Sequence, residues 1–266
     1  MPRQKTASLP TIRLGRLRVS RLVLGSNPFF GFAHKGKPLA RQMKDYFTDE
    51  RICAVLDEAA GLGVTAVAAP CYPRWIDLWN AYRDRGGKLR TWIAQPDGEP
   101  RAMRREIAAA AKGGAGAVFI QGGRADEQFE KRRFATLRGW VECIKGLGLP
   151  AGLASHRHDT HREYERRGWP TDFYFQCFYR PTGERYRRTD RDRNAAAIAG
   201  LAKCVIAYKV LAAGRNEPKA AYEYAFGHLR PTDGLCVGIY PPMGPGMLAE
   251  NVALTVKHST RGSRTA

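Results

Sequence analysis

Acid is scarce in this chain. Its 266 residues hold 25 aspartates and glutamates against 44 lysines and arginines, a formal net charge of +19. Long apolar runs are missing too. Nothing approaches the roughly 18 consecutive apolar residues of a membrane span, so no membrane is expected as a partner. The first twenty residues form a basic lead-in, interrupted by Arg13, Arg16 and Arg18, without the apolar centre of an export signal. A cytoplasmic location is the expectation. The six cysteines include no C-x-x-C pair, and four sit in or beside apolar runs, which reads as buried, reduced thiols. Neither the phosphate loop G-x-x-x-x-G-K-[ST] nor a post-strand G-x-G-x-x-G is present. No linker or low-complexity stretch divides the chain, so residues 1–266 are expected to form one domain.

Lysine is also sparse, 12 residues against 32 arginines. Abundant arginine, alanine and glycine fit the coding bias of a GC-rich genome, so the charge need not be a nucleic-acid site. Nucleic acid is therefore not the expected partner. A strongly basic surface does attract polyanions, which keeps a non-catalytic polyanion-binding barrel as a second class of function.

What the chain does have is a rhythm. Thr11–Leu14 and Leu17–Val19 suggest a short hairpin within the lead-in. Eight apolar runs follow: Leu22–Gly25, Val64–Ala69, Arg90–Ala94, Ala117–Gln121, Ala151–Ala154, Phe173–Cys177, Cys204–Tyr208 and Leu235–Ile239. Each is short and nearly continuous in apolar character, as in parallel strands covered on both faces. Helical patterns separate them. Ile52, Val55, Leu56 and Ala59 follow a candidate cap at Thr48, and Pro100 stands where another helix could begin. Phe129 to Ile144 reads as one long helix. Further helices are expected over Asn194–Leu201, Pro218–Phe226 and around Leu248, Val252 and Val256. Eight alternating units predict an α/β fold, a (β/α)8 TIM barrel with a β-hairpin lead-in; a doubly wound open sheet is the alternative. Tyr179–Arg193, charged and without apolar period, reads as a loop over the barrel mouth.

Barrel active sites lie at the C-terminal ends of the strands. The side chains expected there are Asn27 and His34 after the first strand, Tyr72 after the second, Gln95 after the third and Gln121 after the fourth. His156 follows the fifth, Gln176 and Tyr179 the sixth, Lys209 the seventh and Tyr240 the eighth. Lys209 stands in an otherwise apolar run. It is either ion-paired in the interior or a functional amine whose pKa burial lowers. If Cys204–Tyr208 alternates regularly, Val205, Ala207 and Lys209 face inward, bringing Lys209 near Gln176 and Tyr240. His156, His158 and His161 invite a metal reading, but no carboxylate ends the first, second or fourth strand, so no metal site is assigned. Cys71 reads as a buried thiol. Gly214, Arg215, Gly244 and Gly246 follow the last two strands, where barrels often hold a phosphate, and are candidates for an anion or a cofactor phosphate.

Leu14-Gly15-Arg16-Leu17 through Leu24-Gly25 resembles the N-terminal hairpin and first strand of the aldo/keto reductases. Val237-Gly238-Ile239 through Met247–Val252 resembles their last strand and following helix, and Ala59–Thr65 their first helix-to-strand junction. The resemblance implies the barrel and NAD(P)-dependent carbonyl reduction. That family's Asp, Tyr, Lys and His at the ends of strands two to four correspond here to Ala68, a Tyr72 one residue short, Gln95 and Gln121. The four-residue set is thus not retained at its usual positions. No cofactor is assigned, with NAD(P) as the option the resemblance leaves open. The expected function is an enzyme acting on a small polar carbonyl or sugar-like compound. Proton-transfer chemistry of isomerase or lyase type is favoured over an NAD(P)-dependent oxidoreductase. Lys209 or His156 would be the base and Tyr179 the acid, with the remaining strand-end residues binding substrate.

Overall fold

The computed structural model describes residues 9–179, 181–182 and 185–259. The start of the basic lead-in and part of the Tyr179–Arg193 segment lie outside them. The chain runs β1 (Thr11–Leu14), β2 (Leu17–Ser20), β3 (Leu22–Gly25), α1 (Lys37–Tyr46), α2 (Asp49–Gly61), β4 (Ala66–Pro70), α3 (Pro73–Asp84), β5 (Thr91–Gln95) and α4 (Met103–Lys112). It continues through β6 (Ala117–Ile120), α5 (Gly122–Glu130), α6 (Phe134–Gly146), β7 (Ala151–Ser155), α7 (Thr160–Arg166), β8 (Phe173–Cys177), β9 (Pro181–Thr182) and β10 (Arg185–Tyr186). Last come α8 (Arg188–Ile198), β11 (Cys204–Tyr208), α9 (Pro218–His228), β12 (Gly234–Gly238) and α10 (Met247–Ser259).

Strands β3 to β8, β11 and β12 close into one parallel barrel, β12 returning to pair with β3 in the register Leu235↔Leu22. The expected (β/α)8 fold is therefore the fold observed. Side chains alternate along each strand. Val23, Ala66, Ala68, Ile93, Ala117, Phe119, Ala154, Phe173, Phe175 and Ile206 fill the lumen. Val67, Trp92, Leu153, Tyr174 and Leu235 pack outward against the helices. The lumen is a packed core, with the rings of Phe119 and Phe175 stacked 4.0 Å apart. A Cβ on Gly152 would meet the Phe173 ring at 2.5 Å, so glycine leaves the space that ring fills. The β1–β2 hairpin adds Ile12, Leu14 and Val19 to the same lumen cluster and closes the barrel's N-terminal end.

Several helices start where their sequence says. The Thr48 side chain caps α2 by accepting from the Arg51 amide, and Pro218 opens α9 behind a Glu217 cap. Three expectations change. The long helix over Phe129–Ile144 is two, α5 and α6. The Lys131-Arg132-Arg133 turn breaks it, with Arg132 at φ +53°. Its apolar period survives the break because Phe129 and Phe134 still meet edge-on at 5.7 Å. The helix expected near Pro100, α4, begins at Met103. The 179–193 segment is not a single loop, since β9 and β10 pair and α8 starts at Arg188. The first turns of α8 are polar all round, so no apolar period marks them. Among the described residues no helix is long and apolar enough to cross a membrane.

Candidate functional site at the barrel mouth

β7 ends at Ser155, and His156 leaves the strand at the C-terminal rim. Its ring is only 14% exposed. The Asp126 carboxylate, on the inner face of α5, accepts from the His156 backbone N–H at 3.0 Å and from the Ser155 hydroxyl at 2.5 Å. The His156 ring nitrogen Nδ1 stands 2.9 Å from the same carboxylate. A carboxylate at that distance selects the tautomer with Nδ1 as donor, leaving the Nε2 lone pair pointing away. The Lys209 ammonium donates to that nitrogen across 3.3 Å. Asp126, His156 and Lys209 thus form one chain of contacts from α5, β7 and β11.

Lys209 reaches this position by a route that alternation does not give. Ile206 and Tyr208 face the lumen, and Val205 and Ala207 pack outward, the reverse of the inward face expected for Val205, Ala207 and Lys209. Lys209 itself has φ +57°, a left-handed conformation that few side-chain-bearing residues adopt. That residue turns the chain out of β11 and swings its side chain to the mouth. Its partner is His156, and the expected approach to Gln176 and Tyr240 is not what forms. Burial lowers the Lys209 pKa, with the Asp126 charge opposing the shift.

Two more groups complete the surroundings. His34 is held down to about 4, first by burial, then by the nearby Lys209, His156 and Arg215. It is therefore neutral at neutral pH. The Tyr208 ring stands 5.7 Å from that of His156, and its hydroxyl donates to the Ser155 carbonyl at 3.3 Å. Burial pushes the Tyr208 phenol well above its ordinary value, so it stays protonated. Gly122 makes room for both. A Cβ there would stand 2.9 Å from His156 Cε1 and from the Tyr208 hydroxyl. Cys177 lies close by, but burial pushes its thiol up to about 12 and its Sγ donates to the Tyr179 carbonyl.

Of the residues expected at the mouth, His34, His156 and Lys209 come together. The others take different tasks. Tyr179 accepts from Asn216 through its hydroxyl at 2.8 Å. Tyr72 donates to Asp97 at 2.7 Å. Gln121 caps α5 by accepting from the Arg124 amide, and buried Gln176 donates to the carbonyls of Arg157 and Cys177. Tyr240 packs edge-on against Tyr46. Asn27 is exposed at the start of a 3-10 turn, and Gln95 is half-buried at the end of β5. Arg215 donates to the His34 and Ala212 carbonyls, and the Gly214 carbonyl accepts from Lys35. These contacts strap the loop after β3 to the loop after β11. Gly244 is extended and half-buried, and the Gly246 carbonyl accepts from Glu250 in the first turn of α10. His158 is exposed and His161 is buried with Nε2 toward the Phe175 carbonyl, so the three histidines diverge.

Asp126, Ser155 and Tyr208 carry the site without having been singled out in the sequence. Asp126 carries no marker in the sequence; in the structure it is the acid on the buried face of α5 otherwise formed by Gly122, Ala125 and Gln128.

The chain matches no family model and no curated protein. Among solved structures it resembles a proposed aldo-keto reductase from Pseudomonas aeruginosa, with TM-score 0.63 and 20% identity over 93% of this chain and 95% of the other. A second structure of that description gives TM-score 0.61 at 20% identity, covering 95% of both chains. A Rubisco-like protein from Burkholderia fungorum gives TM-score 0.56 at 13% identity, over 97% of this chain and 62% of that one. What these proteins share with the chain is the barrel.

Proposed function

We propose that this barrel is an enzyme moving a proton on the carbon beside a carbonyl of a small, polar, sugar-like compound, in isomerase or lyase fashion. The observation behind the reading is the contact between Lys209 Nζ and His156 Nε2, with Asp126 behind the ring. An arriving carbonyl oxygen competes for the Lys209 ammonium and frees the Nε2 lone pair. His156 then takes the proton from the adjacent carbon, and the C–H electrons pass toward the oxygen that Lys209 holds. Asp126 stabilises the imidazolium formed. The proton returns to a neighbouring carbon in an isomerisation, or to a departing hydroxyl in an elimination. Tyr208, held protonated by burial, replaces Tyr179 as the nearby acid.

The test is exchange of substrate C–H for deuterium from solvent across a panel of small hydroxy-carbonyl compounds. Exchange should occur with the wild type and fall about 100-fold in Lys209→Met, the scale of a lost acid–base group. That variant should keep its fold, since no large apolar volume is removed. Equal exchange in both proteins would remove Lys209 from the mechanism.

One observation favours a second reading, an NAD(P)-dependent oxidoreductase. Asp126, Tyr208, Lys209 and His156 are the four residue types implied by the aldo/keto reductase resemblance, gathered here from α5 and from the ends of β7 and β11. Fluorescence titration with NADPH separates the readings. Micromolar binding, together with absent exchange, would favour hydride transfer.

A further inference from the structure

Beside the mouth, between the first turns of α8 and α9, lies a cleft of about 310 Å³ lined by Tyr179, Arg188, Arg191, Arg215, Asn216 and Glu217 among others. Its volume is at the small end of ligand sites, which run from about 300 to 1,000 Å³. Three guanidinium groups and one carboxylate line it, and a second carboxylate, Asp192, pairs with Arg191 at 2.7 Å beside it. Glu217 caps α9, accepting from the Lys219 and Ala220 amides. Two of the guanidinium planes are fixed by aromatic rings. Arg191 lies over Tyr224 at 3.7 Å and Arg215 over Tyr186 at 4.7 Å. Stacking holds such a plane still. Asp192 takes the Nε–Nη2 edge of Arg191, and the Ala212 and His34 carbonyls each take one hydrogen of Arg215, so the Nη1 side of Arg191, the remaining Nη hydrogens of Arg215 and the exposed Arg188 are what a ligand would meet.

The placement of the arginines runs against helix electrostatics. The N-terminus of a helix carries partial positive charge and favours acids, by about 0.3–1 kcal/mol each. α8 instead opens with Arg187, Arg188, Arg191 and Arg193, four cations against Asp190 and the Asp192 that pairs with Arg191. Cations gathered at the positive end of one helix, facing the N-terminus of another, are a local conflict that a bound anion resolves. The cleft also adjoins the reaction centre. Its wall includes Val210, the residue after Lys209, and Arg215 donates to the carbonyl of His34, which feels the Lys209 charge.

We infer that this cleft binds the phosphate group of a small phosphorylated carbonyl substrate, presenting its carbonyl end to Lys209 and His156. The inference rests on the proton-transfer reading for the second half of that statement only. The phosphate fits because guanidinium edges donate paired hydrogen bonds to its oxygens. A substrate bearing phosphate at one end and a carbonyl at the other would be supplied by a reaction that phosphorylates a small sugar-like compound.

Calorimetric titration with inorganic phosphate and with dihydroxyacetone phosphate tests it. The proteins are the wild type, the Arg188→Gln/Arg191→Gln double variant, Arg188→Gln alone, Lys209→Met, and an Arg104→Gln/Arg105→Gln control on α4. The control removes equal charge from a distant exposed surface. Thermal unfolding checks that each variant is folded, and Arg188→Gln serves if the double variant is not. Both ligands should bind the wild type, the ester more tightly, and the double variant should weaken both about tenfold or more, the scale of a lost charged hydrogen bond. Arg188→Gln should weaken them in the same direction. The control and, for inorganic phosphate, Lys209→Met should stay within about twofold, under the effect of one such bond. Equal losses in the double variant and the control, or no phosphate binding to the wild type, would overturn the cleft. An ester no tighter than inorganic phosphate would overturn its role as a substrate handle. Phosphate binding with exchange that ignores Lys209 would instead remove the proton-transfer reading and leave the cleft standing.

Discussion

Asp126 holds His156 twice, at the backbone N–H and at ring Nδ1, 3.0 and 2.9 Å from one carboxylate oxygen. The double contact fixes both where the residue leaves β7 and which ring nitrogen keeps its lone pair. It also explains a buried acid on α5 that the hydrophobic pattern of that helix does not require.

Replacing Asp126 by Asn should therefore separate shape from chemistry. With its oxygen at the Oδ2 position an amide accepts from both nitrogens without the negative charge; with its N–H there it loses the backbone contact and favours the opposite tautomer. The expected outcome is a fall in turnover of about 100-fold or more, the scale of a lost acid–base group, with a much smaller change in KM. Unfolding in urea should show a loss of about 1–3 kcal/mol, the cost of disturbing buried hydrogen bonds. A variant with full turnover would take Asp126 out of the site.

Gly122→Ala adds one methyl group where His156 Cε1 and the Tyr208 hydroxyl stand at 2.9 Å. Neither neighbour can move freely, since Asp126 holds the ring and β11 carries the tyrosine. Overpacking of this kind costs about 1–3 kcal/mol. Activity should fall more than stability does, because the displaced atoms are those of the reacting pair. Proton NMR of the His156 ring should report the displacement directly, and unshifted resonances would count against it.

Acid should destabilise the fold through two histidines. His161 is buried and held down to about 4 by desolvation, and His34 also falls to about 4. The unfolded chain binds protons at these groups near the ordinary value of about 6.5, while the folded protein does not until about 4. Stability from both is therefore complete above about pH 6.5 and declines as pH falls toward 4. Glu163 acts in a lower window. Its arginine partners hold it near 2, so its contribution is lost as pH falls from its ordinary 4.5 toward 2. In urea titrations between pH 6.5 and 4, His161→Phe should show a shallower decline than the wild type. Parallel curves would mean that His161 is not the buried neutral group described.

The barrel was legible because its signals are local and repeated. Cys204–Tyr208 and Phe173–Cys177 are observed strands with the expected limits, and Thr48 caps the helix it was expected to cap. The site was half legible. Strand-end counting reached His156, His34 and Lys209 because each follows an apolar run. It missed Asp126 because a buried acid on a helix has no marker in a sequence where Glu127 and Glu130 stand beside it. It reversed the facing of β11 because both of its sides are apolar, and only Ile206 and Tyr208 among the Phe119 and Phe175 rings show which way is in. The left-handed turn at Lys209 is set by tertiary contacts, and a lysine gives no hint of it. Gln121 and Gln176 show the converse. Both end strands as expected, yet backbone groups already occupy their amides.

The hairpin of Ile12, Leu14 and Val19 makes the barrel a vessel with a floor. Whatever reaches Lys209 and His156 must enter and depart by the same opening. Product has to clear before the next molecule can land, so traffic is strictly one at a time. Solvent protons share that doorway. On the proposed proton-transfer chemistry, a molecule seated in it slows the exchange of the base with bulk water, so part of the label taken from one carbon should return to the same molecule while the rest exchanges with solvent. Some transfer of label within the substrate, beside the exchange with solvent, is the signature such a closed floor would leave.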